Sequence, residues 1–176
     1  MIDRERVLRF LLRTPTALES RLVRAAILAL TATGAAFLVW SAVIHLELWT
    51  DGYKDISVVG PLFLVQGIAC ILIAVAIVAL RWLVLLAAGA VAGVATAVGL
   101  LLSVYVGLFG YTESFTVPYA VLSLAVEFTA AFVLLVAAGL LAVAAPVRAA
   151  GRPASVPSRT LGRSRRDRAH ATDSLS

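Results

Sequence analysis

Cysteine, lysine and asparagine are nearly or wholly missing from this chain of 176 residues. Cys70 is the only cysteine and sits inside an apolar run, so no intramolecular disulfide forms and no Cys-x-x-Cys redox pair exists. Histidine is scarce too. His170 lies in a polar tail and His45 stands alone near an apolar stretch; one imidazole makes a poor metal site. A Gly-rich phosphate loop, an HExxH zinc helix and a nucleophile elbow are all absent, so no catalytic constellation is legible and the reading leans away from an enzyme. Asn does not occur, and Lys54 is the one lysine beside 14 arginines, a usage that points to GC-rich coding and a bacterial source. Charge of either sign is thin, at 14% of residues, and lies almost wholly outside the long apolar runs.

What is present is apolar. The chain is 61% hydrophobic with a mean hydropathy of +0.99, against about 45–50% apolar residues in soluble domains. Four stretches reach the ~20 residues a bilayer crossing needs. They run over about 22–46, 58–80, 83–109 and 118–145. The expected fold is therefore all-α: a polytopic, up-down bundle of four transmembrane helices. Residues 1–21 form a basic N-terminal segment, 22–145 the transmembrane domain and 146–176 a basic tail. Thr16-Ala-Leu-Glu19 has the spacing of a capping box ahead of the first span. Pro61 and Pro118 stand where first-turn prolines are tolerated, and Pro146 reads as a stop signal. The first apolar run is too long for a signal peptide, whose core spans ~7–15 residues.

Arginine sets the orientation. Fourteen of the 15 basic residues fall in the N-terminal segment, the turn at Arg81 and the tail; only Lys54 lies in the two other loops. By the positive-inside rule both termini are cytoplasmic, in a bacterial plasma membrane. Within the N-terminal segment, Val7, Leu8, Leu11 and Leu12 share one helical side and Arg6, Arg9 and Arg13 another. That pattern suits an interfacial helix ended by Thr14-Pro15, or a solvated basic tail. The C-terminal tail, rich in Arg, Ser, Pro, Ala and Gly, has no apolar periodicity and reads as disordered. Its Arg163–Arg168 cluster would anchor the chain or touch anionic lipid, and no recognition fold for nucleic acid accompanies it.

Helical geometry assigns faces. Thr31, Gly34, Ser41 and His45 lie within about 40° of one another on the first span. Gly89, Gly93, Thr96, Ser103 and Gly107 form a stripe on the third, and Gly89-x-x-x-Gly93 is a close-packing pattern, as Gly34 is on the first. Gln66 and Cys70 are i, i+4 neighbours on the second, as Ser123 and Glu127 are on the fourth. Trp40, Trp49, Trp82, Tyr53, Tyr111 and Tyr119 read as interface anchors.

Glu127 dominates the functional reading, because an ionisable group deep in an apolar run is a site candidate by default. Nine residues past Pro118, it lies about 14 Å inside the boundary, near the middle of a core about 30 Å thick. Gln66 is about 12 Å deep by the same rise. His45 lies only a few Å in, so Glu127 and His45 are expected not to touch. Gln66, Cys70, Ser123 and Glu127 would converge, with Ser41, Ser103 and Tyr105 lining the way out towards His45.

The segments His45-Leu-Glu-Leu-Trp49, Gly52-Tyr53-Lys-Asp-Ile56 and Gly60-Pro-Leu-Phe-Leu-Val-Gln66 together resemble a group of small four-span bacterial membrane proteins. The resemblance covers roughly residues 22–145, with His45, Tyr53 and Gln66 on the recurring pattern; a looser similarity, in span count, is to DoxX-like proteins. It implies a four-helix bundle in the plasma membrane and no assigned activity. Three functions stay open. One is a non-enzymatic protein that binds a small lipophilic molecule or serves as an accessory subunit of a larger membrane complex, with no cofactor. The second is an oligomeric proton-coupled transporter using Glu127. The third is a redox subunit holding quinone or haem at His45.

Overall fold

The computed structural model describes residues 3–144. The Pro146 stop and the basic tail expected beyond it lie outside the described residues. Among the described residues the secondary structure is all helical, without strands. Helix α1 spans Arg4–Leu11, α2 Arg21–Thr50, α3 Val59–Leu80, α4 Leu83–Tyr105 and α5 Ala120–Val143. The last four are long and apolar enough to cross a membrane. They form the up-down bundle, and the protein is a polytopic membrane protein.

Helix boundaries follow local chemistry, in part not as expected. Ser20, not Thr16, caps α2: its hydroxyl accepts from the Val23 amide at 3.3 Å. Thr16 lies in a short 3-10 turn, Pro15–Ala17, and its hydroxyl pairs with that of Thr14. Helix α2 also runs four residues past the expected Leu46, to Thr50. Helix α4 stops at Tyr105 rather than Phe109. Gly107 and Gly110 take positive φ of +83° and +79°, folding the chain into a tight turn closed by two Leu108–Tyr111 backbone bonds. Helix α5 begins after Tyr119, so Pro118 precedes the helix instead of starting it.

Helix α1 carries no buried residue, with Val7, Leu8 and Phe10 exposed beside its arginines. The segment after it is pinned to the bundle. The Arg13 guanidinium donates to the Ala142 carbonyl at 2.9 Å and to that of Ala144, satisfying carbonyls left open at the end of α5. The Arg13 carbonyl accepts from the Leu83 amide at 3.0 Å at the start of α4.

Helix α2 packs broadly on α3 and α5, and α5 on α4, whereas α3 and α4 meet along a slighter seam. In lipid no hydrophobic force draws helices together, so close packing must do so. Glycine provides it. A Cβ at Gly34 would meet the Leu134 side chain at 2.5 Å, and one at Gly89 would meet Leu134 at 2.7 Å and Ile77 at 2.9 Å. Gly93 brings α4 against the Glu127 carbonyl, which a Cβ would meet at 2.8 Å. The Gly89-x-x-x-Gly93 pattern is thus an internal α4–α5 contact. Ile27, Leu38, Ile77, Leu86, Leu134 and Leu141 fill the core towards the chain termini. The opposite end, carrying the α2–α3 and α4–α5 loops, is the loop end.

Candidate functional site: a polar cavity at the loop end

The α2 face expected from the sequence is buried along its whole length, and it delivers His45 to the bundle axis. His45 Nδ1 lies 2.8 Å from the Ser41 carbonyl one turn back. A carbonyl only accepts, so Nδ1 carries the hydrogen and Nε2 faces inward. Nε2 lies 3.6 Å from Glu127 Oε1, inside ion-pair range and longer than a normal hydrogen bond. The same Oε1 accepts from the Ser123 hydroxyl at 2.9 Å, across one turn of α5.

This contact corrects the expectation that His45 and Glu127 stay apart. That estimate ended α2 at Leu46 and began α5 at Pro118. With the real ends, His45 is five residues inside α2, about 8 Å, and Glu127 seven residues inside α5, about 10 Å. The extra turn of α2 brings the two groups level.

Glu127 is 1% exposed, and its Oε2 has no hydrogen-bond partner among the described residues. It borders a cavity of about 280 Å³ between the four long helices and both loops. His45, Gln66, Ser103, Ser123, Glu127 and Glu113 supply polar wall. Gln66 donates to Cys70 Sγ at 3.1 Å, and the Ser103 hydroxyl reaches the Tyr111 carbonyl at 3.5 Å. Cys70 itself is buried. Ser41 sits behind His45 as its support, 2% exposed and off the cavity wall. Leu62 and Val65 on α3 and Ala95 and Gly99 on α4 also line the space. Val65 lines the cavity and is itself 61% exposed, so the cavity is not sealed on its α3 side.

Tyr105 does not belong to the site. It is 75% exposed and meets Phe115 edge-on at 6.1 Å. Two residues along a helix turn by about 200°, so Ser103 facing inward sends Tyr105 outward.

Glu113, an acid of the α4–α5 loop, also belongs to the site. It is 8% exposed; its Oε2 accepts from the Tyr53 hydroxyl at 2.7 Å and the Tyr111 hydroxyl at 3.2 Å, and its Oε1 accepts from the Ser114 amide at 3.0 Å. Tyr53 and Tyr111, expected as interface anchors, instead tie the two loops together over the cavity. Tyr53 stacks on Phe63 at 4.8 Å, and Phe63 meets His45 at 5.1 Å. Burial, and then the hydrogen bond to Glu113, hold the Tyr53 phenol well above its ordinary pKa; burial raises Tyr111 likewise. The only sequence signal for this cluster was an acid two residues after a tyrosine, which many loops share.

No protein-family model, curated protein or solved structure matches the chain. Chemically, the site offers a histidine–carboxyl pair in ion-pair range, an acceptor oxygen without a donor among the described residues, a carboxamide and a cluster of rings. Among the described residues no group of three or more His, Cys, Asp or Glu could hold a metal ion.

Proposed function

We propose that this protein binds a small lipophilic molecule in the outer half of its bundle, without catalysing a reaction, in a bacterial plasma membrane. The arginine distribution supports cytoplasmic termini, which turns the loop end outward. One observation carries the binding reading: Glu127 Oε2 is buried at a cavity with no donor. Leaving such an atom unpaired costs about 1–3 kcal/mol, and more when it is charged, so a native structure keeps one for a reason. A ligand donor would relieve it. The volume of about 280 Å³ is close to the lower bound, about 300 Å³, of small-molecule pockets. Mass spectrometry of the intact protein, released from mild detergent, tests the reading. A non-covalent adduct of lipid-like composition is expected, and a bare chain under all extraction conditions would count against it.

The His45–Glu127 pair favours a second reading, an oligomeric proton-coupled transporter. With Nδ1 protonated, the pair holds one proton as imidazolium–carboxylate or as imidazole–carboxylic acid, and four spans alone give little room for a path. Transport that persists in Glu127→Gln would rule this out.

A further inference from the structure

We propose that the occupant is a lipophilic cation, a protonated amine on an apolar body, which reaches the cavity sideways from the bilayer through the α3–α4 seam. This rests on the reading of the cavity as a ligand site and names the ligand's chemistry.

Charge is the first argument. Two acids, Glu113 and Glu127, and one histidine, His45, line the cavity, and no Lys or Arg does; with His45 neutral the wall carries only negative charge. A carboxylate or phosphate head would face like charge where little water screens it, whereas an ammonium meets opposite charge. Donor accounting singles out Glu127. Glu113 already receives hydrogen bonds from Tyr53, Tyr111 and the Ser114 amide. Glu127 receives one, from Ser123, and its Oε2 receives none among the described residues. An N–H from an ammonium supplies what Oε2 lacks, as a charge-assisted bond, the stronger kind. Phe63, Tyr53 and Tyr111 line the same cavity, and aromatic rings attract a cation that comes over their faces.

The route follows from the seam. Helices α3 and α4 touch less than the other neighbouring pairs, and Leu62, Val65, Ala95 and Gly99 line the cavity there. A Cβ placed on Gly99 would meet nothing within 4 Å, so α4 leaves a slot beside Val65 and Leu62. A head group can sit at Glu127 while a single alkyl tail leaves through that slot into lipid.

The test uses the full chain in nanodiscs of zwitterionic lipid, with empty nanodiscs as the partition control. Dodecylamine, dodecanol and dodecanoate share a tail and differ in head charge. The amine is expected to bind about tenfold more tightly than the alcohol, because a bond to an ionised partner is worth roughly twice a neutral one, and the carboxylate is expected to bind least. Glu127→Gln, which keeps the shape and the Ser123 bond, should abolish the amine's advantage and leave alcohol binding in place. Gly99→Leu, which fills open space, should weaken both amine and alcohol. Equal binding of amine and alcohol, or an amine preference that survives Glu127→Gln, would overturn the cation assignment while leaving a lipophilic-ligand site intact. No binding of any of the three would overturn both.

Discussion

Towards the chain termini, Leu134 drops into the notches left by Gly34 and Gly89 and belongs to one buried cluster with Leu38 and Ile77. Towards the loops, the same four helices hold His45, Gln66, Ser123 and Glu127 around a cavity. Both halves draw on one helical period, but different residues occupy the inward positions. On α2, Gly34 and Leu38 face inward in the first half, and Ser41 and His45 in the second. On α5, Leu134, Ala138 and Leu141 give way to Ser123 and Glu127. In lipid, packing is the main source of helix association, so the solid half can hold the bundle while the hollow half is released from that task. Stability and site are thereby separated along the membrane normal.

The separation predicts unequal costs for equal truncations. Leu134→Ala should have the largest effect. In lipid the transfer contribution is small, which leaves the cavity and lost dispersion contacts, so a loss of about 2–3 kcal/mol is expected, at the low end of buried Leu→Ala changes. Denaturant or thermal unfolding in detergent would measure it. Gly34→Val comes next, at about 1–3 kcal/mol from overpacking against Leu134, by the same assay. Tyr53→Phe removes a hydrogen bond to Glu113 and should cost about 1–2 kcal/mol, while raising the protease sensitivity of the two loops. The smallest effect is expected for Leu100→Ala, which enlarges a space already present. A loss below about 1 kcal/mol would sharpen the contrast, and one matching Leu134→Ala would break it.

The loop end should also carry an alkaline signature. The phenols of Tyr53 and Tyr111 titrate above the value of about 10 for an unfolded tyrosine. A group raised on folding contributes stability that is complete below its unfolded pKa and is lost as pH climbs towards the folded one. The unfolding midpoint should therefore hold steady with respect to these groups up to about pH 10 and fall beyond it, with a smaller fall in Tyr53→Phe. An unchanged alkaline fall in that variant would remove Tyr53 from the account.

Much of the bundle was legible because apolar length and 3.6-residue periodicity survive tertiary context. The buried face of α2 and the close contacts at Gly34, Gly89 and Gly93 follow from spacing alone. The Ser123–Glu127 and Gln66–Cys70 bonds follow from i, i+4 geometry. What escaped depends on where helices stop. Four more residues on α2 decide whether His45 reaches Glu127, and capping at Ser20 rather than Thr16 turns on a short 3-10 turn before it. The Tyr53–Glu113–Tyr111 cluster escaped because it joins loops 60 residues apart, a distance no local pattern spans. Tyr105 lies about 200° round the helix from the inward-facing Ser103, and this turn carries it off the site.

Glu127 borders the cavity of the hollow half, and the proposed function gives it a ligand to receive rather than helices to hold together. The direct test is to measure Glu127→Gln and the parent chain side by side for unfolding midpoint and for bound small molecule, in the same nanodiscs. The account predicts a variant whose occupancy by its non-covalent ligand falls by about tenfold and which unfolds within about 1 kcal/mol of the parent, since Gln still accepts from Ser123. A variant that keeps the parent's occupancy but loses several kcal/mol would show Glu127 to be a structural bond, and would contradict the account.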